Sequence, residues 1–383
     1  MNLFGIIVYV CGILLIIQPL KVLPNEVLIA EWDSFDNGVH KTKNDGRPLD
    51  FCMEVQPDGF WRKFITISTY NQSMPFTLAT LDDGNATEYG AVIRPYPNME
   101  WHTSGNCRGI VTATSVEVED DCRRLWVLDG GRNFTSEQHY QVCPPKIVVF
   151  DLVRDVSIFR YEIPFNQYST STSSFNVITL ATSRACNESI AYLTNSGDST
   201  VTVFSLAKFS SHVVTSELFK PTRRLTTQES LYNDILGISP NPLDRQVYMR
   251  RFESNILMSI PETVLHFAPF WQLKSLKPLA ESFIRNNGYQ PAHYTALVSD
   301  KMGNVWCAQE NAIVCWNPRN LGSPKLISTK AVDVHTLSHV TRLKAGYDDI
   351  FGYFITGISN LHHIENLSTK RNQMFMMPTA NLI

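Results

Sequence analysis

The sequence predicts an all-β fold, a six-bladed β-propeller, from three observations. A short apolar run that carries an aromatic residue near its start occurs six times, with the aromatic residues 47 to 66 positions apart. Turns precede several of these runs and second apolar strands follow several, which is the pattern of propeller blades. Signals for helices are sparse. The alternative from this pattern alone is an ordinary all-β sandwich in which the aromatic spacing is a coincidence.

The repeated runs are predicted as buried strands because they join apolar side chains to aromatic or β-branched ones. They are Arg62–Thr66, Leu125–Asp129, Ala191–Asn195, Val247–Arg251, Val305–Gln309 and Gly352–Thr356, with the aromatic residues Phe64, Trp126, Tyr192, Tyr248, Trp306 and Tyr353. Following strands are predicted at Lys146–Leu152, Ser199–Leu206 and Ala312–Trp316. The run that ends at Asp129 stops at Gly130 and Gly131, which indicates a turn. The clearest helix signal is Pro261–Phe267, where proline suits the first turn and Glu262 lies near the positive end of the helix dipole.

Composition indicates a globular chain with a large core and no nucleic-acid partner. The 383 residues are 44% apolar and 18% charged, with a formal net charge of −3. No linker, low-complexity run or charge block divides them, and large closed β folds reach this length as one domain. The sequence has no basic stripe and no nucleic-acid-binding module. We predict a signal peptide at 1–20, the propeller at 27–364 and a short C-terminal tail at 365–383.

The N-terminal residues predict secretion. Leu3–Ile17 is a 15-residue apolar run followed by Gln18 and Pro19, which matches a secretory signal and is short for a membrane span. A retained signal anchor is the alternative, because no basic residue precedes the run and no clear cleavage motif follows it. Glycosylation sequons fit secretion, and they begin at Asn71, Asn85, Asn133, Asn187 and Asn366. We expect an extracellular glycoprotein with no stable membrane insertion after signal removal.

Seven cysteines remain once Cys11 is removed with the leader, so at least one thiol stays outside intramolecular disulfides. The candidates for disulfides are Cys107, Cys122, Cys143, Cys186, Cys307 and Cys315. Cys307 and Cys315 flank a hairpin centred on Asn311, where they either face each other and bridge or remain two buried thiols. No C-x-x-C motif occurs, so the sequence indicates neither a zinc ribbon nor a thioredoxin-like site.

Six segments resemble the Yellow/major royal jelly protein family of insects. They are Pro95–His102, Cys107–Ile110, Ser115–Asp129, Cys143–Leu152, Arg160–Pro164 and Asn311–Asn317. The resemblance covers roughly residues 27 to 360, and residues 95–164 are its most specific part. It implies a secreted, glycosylated, six-bladed propeller in which the first strand, Val27–Asp33, helps to close the last blade.

No catalytic motif is readable in the sequence. It contains no G-x-S-x-G, H-E-x-x-H, P-loop or dinucleotide-binding glycine motif, and no fixed spacing links Ser, His and Asp into a triad. His362 and His363 are interpreted as a solvated loop pair rather than as a metal site. We therefore predict no catalytic residue, no metal and no cofactor.

The residues just before each innermost strand predict a binding site at one mouth of the central channel. They are Phe175, Asn176, Tyr232, Asp234, Tyr294 and Thr341. Aromatic faces beside one carboxylate suit a small aromatic amine, with Asp234 as the counter-ion. The resemblance supports this, since family members that bind biogenic amines use such a pocket. The alternative is that the aromatic residues are core and that Asp234 caps a turn.

One segment departs from the family pattern. Where many members read Pro-Asn-Asp-Leu-Lys-Val before the last blade, this chain reads His-Val-Thr-Arg-Leu-Lys-Ala at His339–Ala345. Val340 and Thr341 thus replace an amide and a carboxylate, and Arg342 lies beside them. A cationic ligand would meet less negative charge here than in typical relatives.

Three classes of function follow from the sequence and the resemblance. The first is a secreted, non-enzymatic protein of pigmentation or of an extracellular matrix such as cuticle or eggshell, with matrix proteins and a small aromatic amine or catechol as partners. The second is a dopachrome-converting tautomerase of the melanin pathway, which needs an acid/base group. Its candidates are His102, His293, His339 and Asp234. The third is a metal-dependent, lactonase-like hydrolase, which the scarcity of carboxylates before the inner strands disfavours.

Overall fold

The computed structural model describes residues 27–32, 35–36, 48–68, 74–87, 90–103, 105–134, 139–181, 185–220, 237–250, 256–289, 294–309, 312–319, 325–327, 340–345, 349–355 and 372–378. The predicted signal peptide lies outside these residues. No helix among them is long and apolar enough to cross a membrane.

Three antiparallel sheets follow one another in the first two thirds of the chain. Sheet 1 contains, from its inner to its outer strand, β3 (Pro48–Val55), β4 (Trp61–Ile67), β5 (Leu78–Thr87), β6 (Gly90–Pro95) and the parallel edge strand β2 (Phe35–Asp36). Sheet 2 contains β7 (Ala113–Glu119), β8 (Arg124–Asp129), β11 (Lys146–Asp151) and β12 (Val156–Glu162). Sheet 3 contains β13 (Phe175–Ala181), β14 (Ile190–Asn195), β15 (Thr200–Ser205) and β16 (Ser210–Thr215).

Three more sheets complete the described architecture. Sheet 4 contains β17 (Gly237–Pro240), β18 (Gln246–Arg250), β19 (Ile256–Pro261) and β20 (Arg285–Tyr289). Sheet 5 contains β21 (Tyr294–Ser299), β22 (Val305–Gln309), β23 (Ala312–Trp316) and β24 (Lys325–Ile327). Sheet 6 contains β25 (Val340–Ala345), β26 (Asp349–Ile355), β27 (Asn372–Pro378) and β1 (Val27–Trp32). A separate hairpin pairs β9 (Arg132–Phe134) with β10 (His139–Gln141).

The inner strands form a ring, which is the arrangement of a propeller. Along the chain, β3, β7, β13, β17, β21 and β25 each contact the next inner strand, and β25 contacts β3. The prediction of an all-β propeller is therefore confirmed. Five of the sheets have the four strands of a regular blade, whereas sheet 1 has five, so the predicted sixth blade stays a prediction.

Sheet 6 joins the two ends of the described chain. Strand β27 lies between β26 and β1, and β1 pairs with it antiparallel from Val27 to Trp32. The expectation that the first strand helps to close the last blade is confirmed. The predicted boundary at residue 364 is wrong, because the sheet continues to Pro378. Met374, within the supposed tail, is fully buried against the core of sheet 1.

The six repeated aromatic residues lie in six different sheets, each on the second strand from the ring centre, as predicted. Five of them have described side chains, and all five are at most 2% exposed. Carboxylates at the end of the inner strand or in the turn after it accept hydrogen bonds from three of these aromatic side chains. These bonds are Trp126 Nε1 to Glu119 at 2.9 Å, Trp306 Nε1 to Asp300 at 2.7 Å and Tyr248 Oη to Asp244 at 2.6 Å. Each large ring that is buried in this way contributes about 4–6 kcal/mol of transfer free energy.

The core lies between neighbouring sheets. One apolar cluster joins Phe64 of sheet 1 to Leu125 of sheet 2, and another joins Trp126 of sheet 2 to Leu193 of sheet 3. This follows from the twist and alternation of the strands, since each strand presents its apolar side chains to both adjacent sheets.

Short helices occupy the connection between β19 and β20. They are α1 (Glu262–His266), α2 (Ala268–Gln272) and α3 (Lys277–Ser282). The helix predicted at Pro261–Phe267 is thus confirmed, while α2 and α3 were not predicted. Within the described part of the chain, 3-10 turns occur at Met99–His102, Asp120–Cys122, Phe165–Gln167 and Glu217–Phe219.

Among the described residues, two disulfides connect loops of sheets 2 and 3. Cys107 pairs with Cys143, and Cys122, after β7, pairs with Cys186, before β14. The proposed bridge between Cys307 and Cys315 is wrong. Strand register places Trp306 opposite Cys315 and Val314 opposite Cys307, so the two buried thiols fall on opposite faces of the hairpin.

The sequons are only partly described. Asn187 is exposed in the loop before β14. Asn85 lies in β5 and Asn133 in β9, whereas Asn71 and Asn366 lie outside the described residues.

Candidate functional site

The central channel is lined by the inner strands β3, β7, β13, β17, β21 and β25. Five of these strands carry a register shift, a β-bulge, near their first residue. The extra residues are Leu49, Thr114, Asn176, Thr295 and Thr341. Bulges release a residue from strand pairing and redirect its side chain, which makes this end of the ring a natural site for binding groups.

The structure brings four of the six predicted site residues to this end of the ring. Phe175 and Asn176 begin β13, Tyr294 begins β21, and Thr341 is the second residue of β25. Tyr232 and Asp234 lie outside the described residues, so convergence of all six on one mouth stays a prediction. Sequence reasoning missed Thr114 and Thr295, which occupy the same bulge position and could have been found by aligning the inner strands.

Two of these residues are engaged within the protein. Phe175 is 3% exposed and belongs to the apolar core between sheets 2 and 3, which is the alternative left open for it. The side-chain amide of Asn176 lies 2.9 Å from Ser174 Oγ and 2.8 Å from Ser196 Oγ. Their contribution to the mouth is therefore structural.

Four charged side chains meet farther along the channel: Asp50 of β3, Glu117 of β7, and Arg342 and Lys344 of β25. We call them the channel cluster. Lys344 Nζ donates to Glu117 Oε2 at 2.7 Å and to Asp50 Oδ2 at 3.3 Å. It also donates to the backbone carbonyl oxygen of Val116 at 2.7 Å. The lysine therefore joins three sheets of the ring.

Asp50 is fully buried, and both oxygens of its carboxylate accept hydrogen bonds. Oδ2 accepts from Ser115 Oγ and, at 3.1 Å, from the backbone N–H of Val116, besides Lys344. Oδ1 accepts the backbone N–H of Phe51 at 2.9 Å. A buried carboxylate is tolerated because it has several donors of this kind.

Arg342 is less well satisfied. It is 8% exposed, and its Nη2 donates only a long bond of 3.4 Å to the backbone carbonyl oxygen of Asn176. Its Nε lies 3.5 Å from Asp50 Oδ1 but forms no hydrogen bond. Burial lowers the pKa of Arg342, and Asp50 opposes that shift.

Burial and neighbouring charges shift the pKa values of Glu117 and Lys344 in opposite directions. Burial raises the pKa of Glu117, although Lys344 works to lower it. Burial alone would lower the pKa of Lys344, but the carboxylates of Asp50 and Glu117 outweigh burial and raise it. The cluster therefore pairs a firmly cationic lysine with a carboxyl group that takes up a proton more readily than usual.

Two adjoining cavities follow the channel. The middle cavity has a volume of about 40 Å³ and is lined by the central residues of the inner strands, including Glu117, Arg342 and Lys344. The end cavity has a volume of about 150 Å³ and is lined by the last residues of the inner strands and the turns that follow them. Glu117, Thr179, Ser239 and Val298 line both.

The end cavity is rich in carboxylates. Glu119, Asp120, Asp121 and Asp300 line it, together with Lys301. Glu119 and Asp300 are already committed to Trp126 and Trp306. Burial raises the pKa of Asp120, and the positive charge of Lys301 opposes that shift.

The predicted acid/base residues do not form a described catalytic group. His102 is 9% exposed and its Nε2 donates to the backbone carbonyl oxygen of Tyr96 at 3.1 Å. Burial lowers its pKa to about 4. His293, His339 and Asp234 lie outside the described residues, as do His362 and His363. Within the described residues no group of three or more His, Cys, Asp or Glu side chains is arranged to hold a metal ion.

Comparison with known sequences identifies relatives of this chain. A family model described as "Major royal jelly protein" matches residues 111–373. The chain is 25% identical over 312 residues to major royal jelly protein 8 of Apis mellifera, which covers 74% of this chain and 68% of that protein. It is 33% identical over 132 residues to Protein yellow of Drosophila subobscura, covering 34% and 23%. It is 28% identical over 248 residues to dopaminechrome tautomerase of Drosophila melanogaster, covering 63% and 51%.

The matched regions thus span 68%, 23% and 51% of these three relatives' own lengths. Among solved structures, a luciferin-regenerating enzyme aligns with a TM-score of 0.50 at 8% identity, covering 87% of this chain and 92% of that one. At this level of identity the likeness concerns the fold alone.

Proposed function

Since the chain belongs to the major royal jelly protein family, we propose that it is a secreted, non-enzymatic protein of pigmentation or of an extracellular matrix such as cuticle or eggshell. We further propose that it binds a small ligand in its central channel and contacts matrix proteins. The observation that carries the binding proposal is the channel itself. Two adjoining cavities are lined by inner strands, and three members of the channel cluster line the middle one.

Sheet 1 is proposed as the sixth blade of the propeller. Its inner strand β3 contacts β7 on one side and β25 on the other, which supports a closed ring of six units. Strand β2 is then an addition to the outer edge of that blade, which covers an otherwise exposed strand edge.

Secretion is supported by the two disulfides, which persist in oxidising compartments. The exposed sequon at Asn187 is accessible for a glycan. We expect secreted protein to begin between Pro19 and Pro24 and to run faster on a gel after glycosidase treatment. An intact Met1 on membrane-bound protein, or no mobility shift, would favour a signal anchor.

The proposed ligand is a small aromatic amine or a catechol at the mouth where the inner strands begin, with Asp234 as the counter-ion of the amine. Titration calorimetry with catecholamines, indoleamines and neutral catechols tests this. Asp234→Asn should lower the affinity for amines about ten- to a hundredfold, because a charge-assisted hydrogen bond is lost. The affinity for neutral catechols should not change. Equal weakening of both classes would make Asp234 structural. If neither class binds the unmutated protein, the channel proposal fails and a purely matrix role remains.

A second candidate is a tautomerase that acts on dopachrome-type substrates. The similarity to dopaminechrome tautomerase of Drosophila melanogaster motivates it. Glu117 is the specific observation in its favour, since a carboxyl group with a raised pKa beside a cavity suits proton transfer. The test follows dopachrome absorbance with the unmutated protein and with Glu117→Gln. Conversion that requires Glu117 would support this candidate, and an unchanged rate with Glu117→Gln would remove the role of that residue.

A further inference from the structure

Arg342 is a buried guanidinium whose hydrogen-bonding capacity is largely unused by the described residues. A guanidinium presents several N–H donors in a planar fork. Here one of them makes a bond of 3.4 Å to a backbone carbonyl oxygen, and Nε makes none. Buried arginine side chains normally have their donors satisfied, because an unpaired charged donor is costly to desolvate.

Asp50 does not complete the coordination of Arg342. Its Oδ1 lies 3.5 Å from Nε without hydrogen-bond geometry, and that oxygen already accepts the N–H of Phe51. Its Oδ2 is taken by Ser115, Val116 and Lys344. Asp50 thus gives Arg342 an ion-pair contact without a hydrogen bond, and the described residues leave most of the guanidinium donors open to an added acceptor.

The middle cavity lies beside Arg342. Its wall combines Arg342 and Lys344 with the hydroxyl-bearing residues Thr179 and Ser239 and with apolar residues such as Leu297. A volume of about 40 Å³ corresponds to about three water molecules. This space suits a compact polar group, and a longer ligand would extend into the adjoining end cavity.

We propose that the middle cavity binds a small carboxylate, or the carboxylate end of a larger ligand, through the guanidinium of Arg342. The planar fork of arginine matches the two oxygens of a carboxylate, which lysine does not do. This proposal does not depend on the proposed amine site, whose counter-ion is Asp234.

The four charges of the cluster set the proton balance of carboxylate binding. Asp50 and Glu117 balance Arg342 and Lys344, so a bound carboxylate leaves one excess negative charge. Glu117 is the group placed to take up a proton in response. It faces Lys344 of β25, Asp50 of β3 and Asp120 of the turn after β7, and burial already raises its pKa. Binding should therefore draw a proton into the cluster.

Calorimetric titration with two matched catechols tests the proposal, namely 3,4-dihydroxyphenylacetate, which carries a carboxylate, and dopamine, which carries an ammonium group. Acetate serves as the smallest carboxylate probe. Arg342→Gln should lower the affinity for dihydroxyphenylacetate and for acetate about ten- to a hundredfold. The affinity for dopamine should not change. Arg342→Lys, which keeps the charge but not the fork, should give a smaller loss.

Arg94→Gln is the matched control, because Arg94 is exposed in β6 and pairs with Asp82 far from the cluster. If Arg94→Gln and Arg342→Gln lower the affinity for carboxylates equally, the effect comes from the overall charge of the protein, and the proposal is overturned. Unchanged carboxylate binding in a folded Arg342→Gln variant, or no carboxylate binding by the unmutated protein, would overturn it as well. Loss of dopamine binding alone, in Asp234→Asn, bears only on the amine site.

Proton uptake gives a test that needs no variant. Dihydroxyphenylacetate binding to the unmutated protein should take up protons, seen as a dependence of the binding heat on the ionisation enthalpy of the buffer. Affinity should rise as the pH falls from 7.5 to about 5.5, below which the ligand itself begins to be protonated. Proton release on binding would contradict the role given to the cluster.

Discussion

Replacing Lys146 by methionine tests the ion pair that ends the second strand of sheet 2. Asp129 is the last residue of β8, and Lys146 is the first residue of β11, directly opposite it. Lys146 Nζ lies 2.7 Å from Asp129 Oδ2, and both side chains are fully buried. The carboxylate also accepts backbone N–H bonds from Val111, Thr112 and Gly131 at 2.8–2.9 Å.

Removing one partner of a buried ion pair costs about 3–5 kcal/mol, because the other charge stays buried. Lys146→Met should cost about 3 kcal/mol, the lower end, since Asp129 keeps its three backbone donors. Asp129→Asn should cost about 5 kcal/mol, because Lys146 Nζ makes no described hydrogen bond and its buried charge would lose its ion-pair partner. In the double variant both charges are gone, so the loss should be smaller than the sum by about 1–3 kcal/mol.

Urea unfolding at pH 7 with the disulfides intact, followed by tryptophan fluorescence, measures these differences. Lys274→Met is the matched control, because Lys274 is exposed, and it should change the unfolding free energy by less than about 0.5 kcal/mol. A loss below about 1 kcal/mol for Lys146→Met, or exact additivity in the double variant, would refute the reasoning.

Three further outcomes are expected. Replacing Cys122 and Cys186 together by serine should lower the unfolding free energy by about 4 kcal/mol, because the bond closes a loop with a sequence separation of 64 residues; an unchanged urea midpoint would contradict this. Gly131→Ala should cost about 2 kcal/mol, since φ is +64° and an added Cβ would overlap the carbonyl oxygen of Cys143, and a variant as stable as the unmutated protein would refute the clash. Acidification should destabilise the protein through His102, whose pKa of about 4 lies below its ordinary value of 6.5. As the pH falls, the histidine is protonated in the unfolded chain before it is protonated in the folded protein. Up to about 3 kcal/mol of unfolding free energy that is present above pH 6.5 is therefore lost by about pH 4. His102→Gln should flatten this part of the pH profile measured by urea unfolding.

The sequence anticipated the strands well because their signals are local. Short apolar runs closed by glycine or by acidic turns read directly as blade strands, and the aromatic repeat placed Trp126 and Tyr192 in separate sheets. Local signals also explain the failures. The run at Asn372–Pro378 follows a polar stretch, so its sequence suggests a C-terminal tail. Pairing with strands β26 and β1 makes it a strand instead. For Cys307 and Cys315 the sequence leaves a bridge and two buried thiols open, and the strand register, which places them on opposite faces, decides against the bridge.

The candidate site was harder to predict than the fold. Asn176 and Thr341 were found because the position before an inner strand is visible in sequence, and both proved to be bulge residues. Glu117 and Lys344 were not singled out, since each looks like an ordinary charged residue in a strand. Arg342 was noticed as a departure from the family pattern, but its unmatched donors became visible only with its neighbours in place.

By itself the sequence determined that this is a propeller of the royal jelly type, because alternation, turns and family segments are properties of adjacent residues. Only the tertiary structure decided which charges share the channel. Asp50 and Lys344 are 294 positions apart and meet because β25 closes the ring against β3. The physical reason is that strand formation depends on near neighbours, whereas the balance of buried charge depends on ring closure, which brings together residues from opposite ends of the chain.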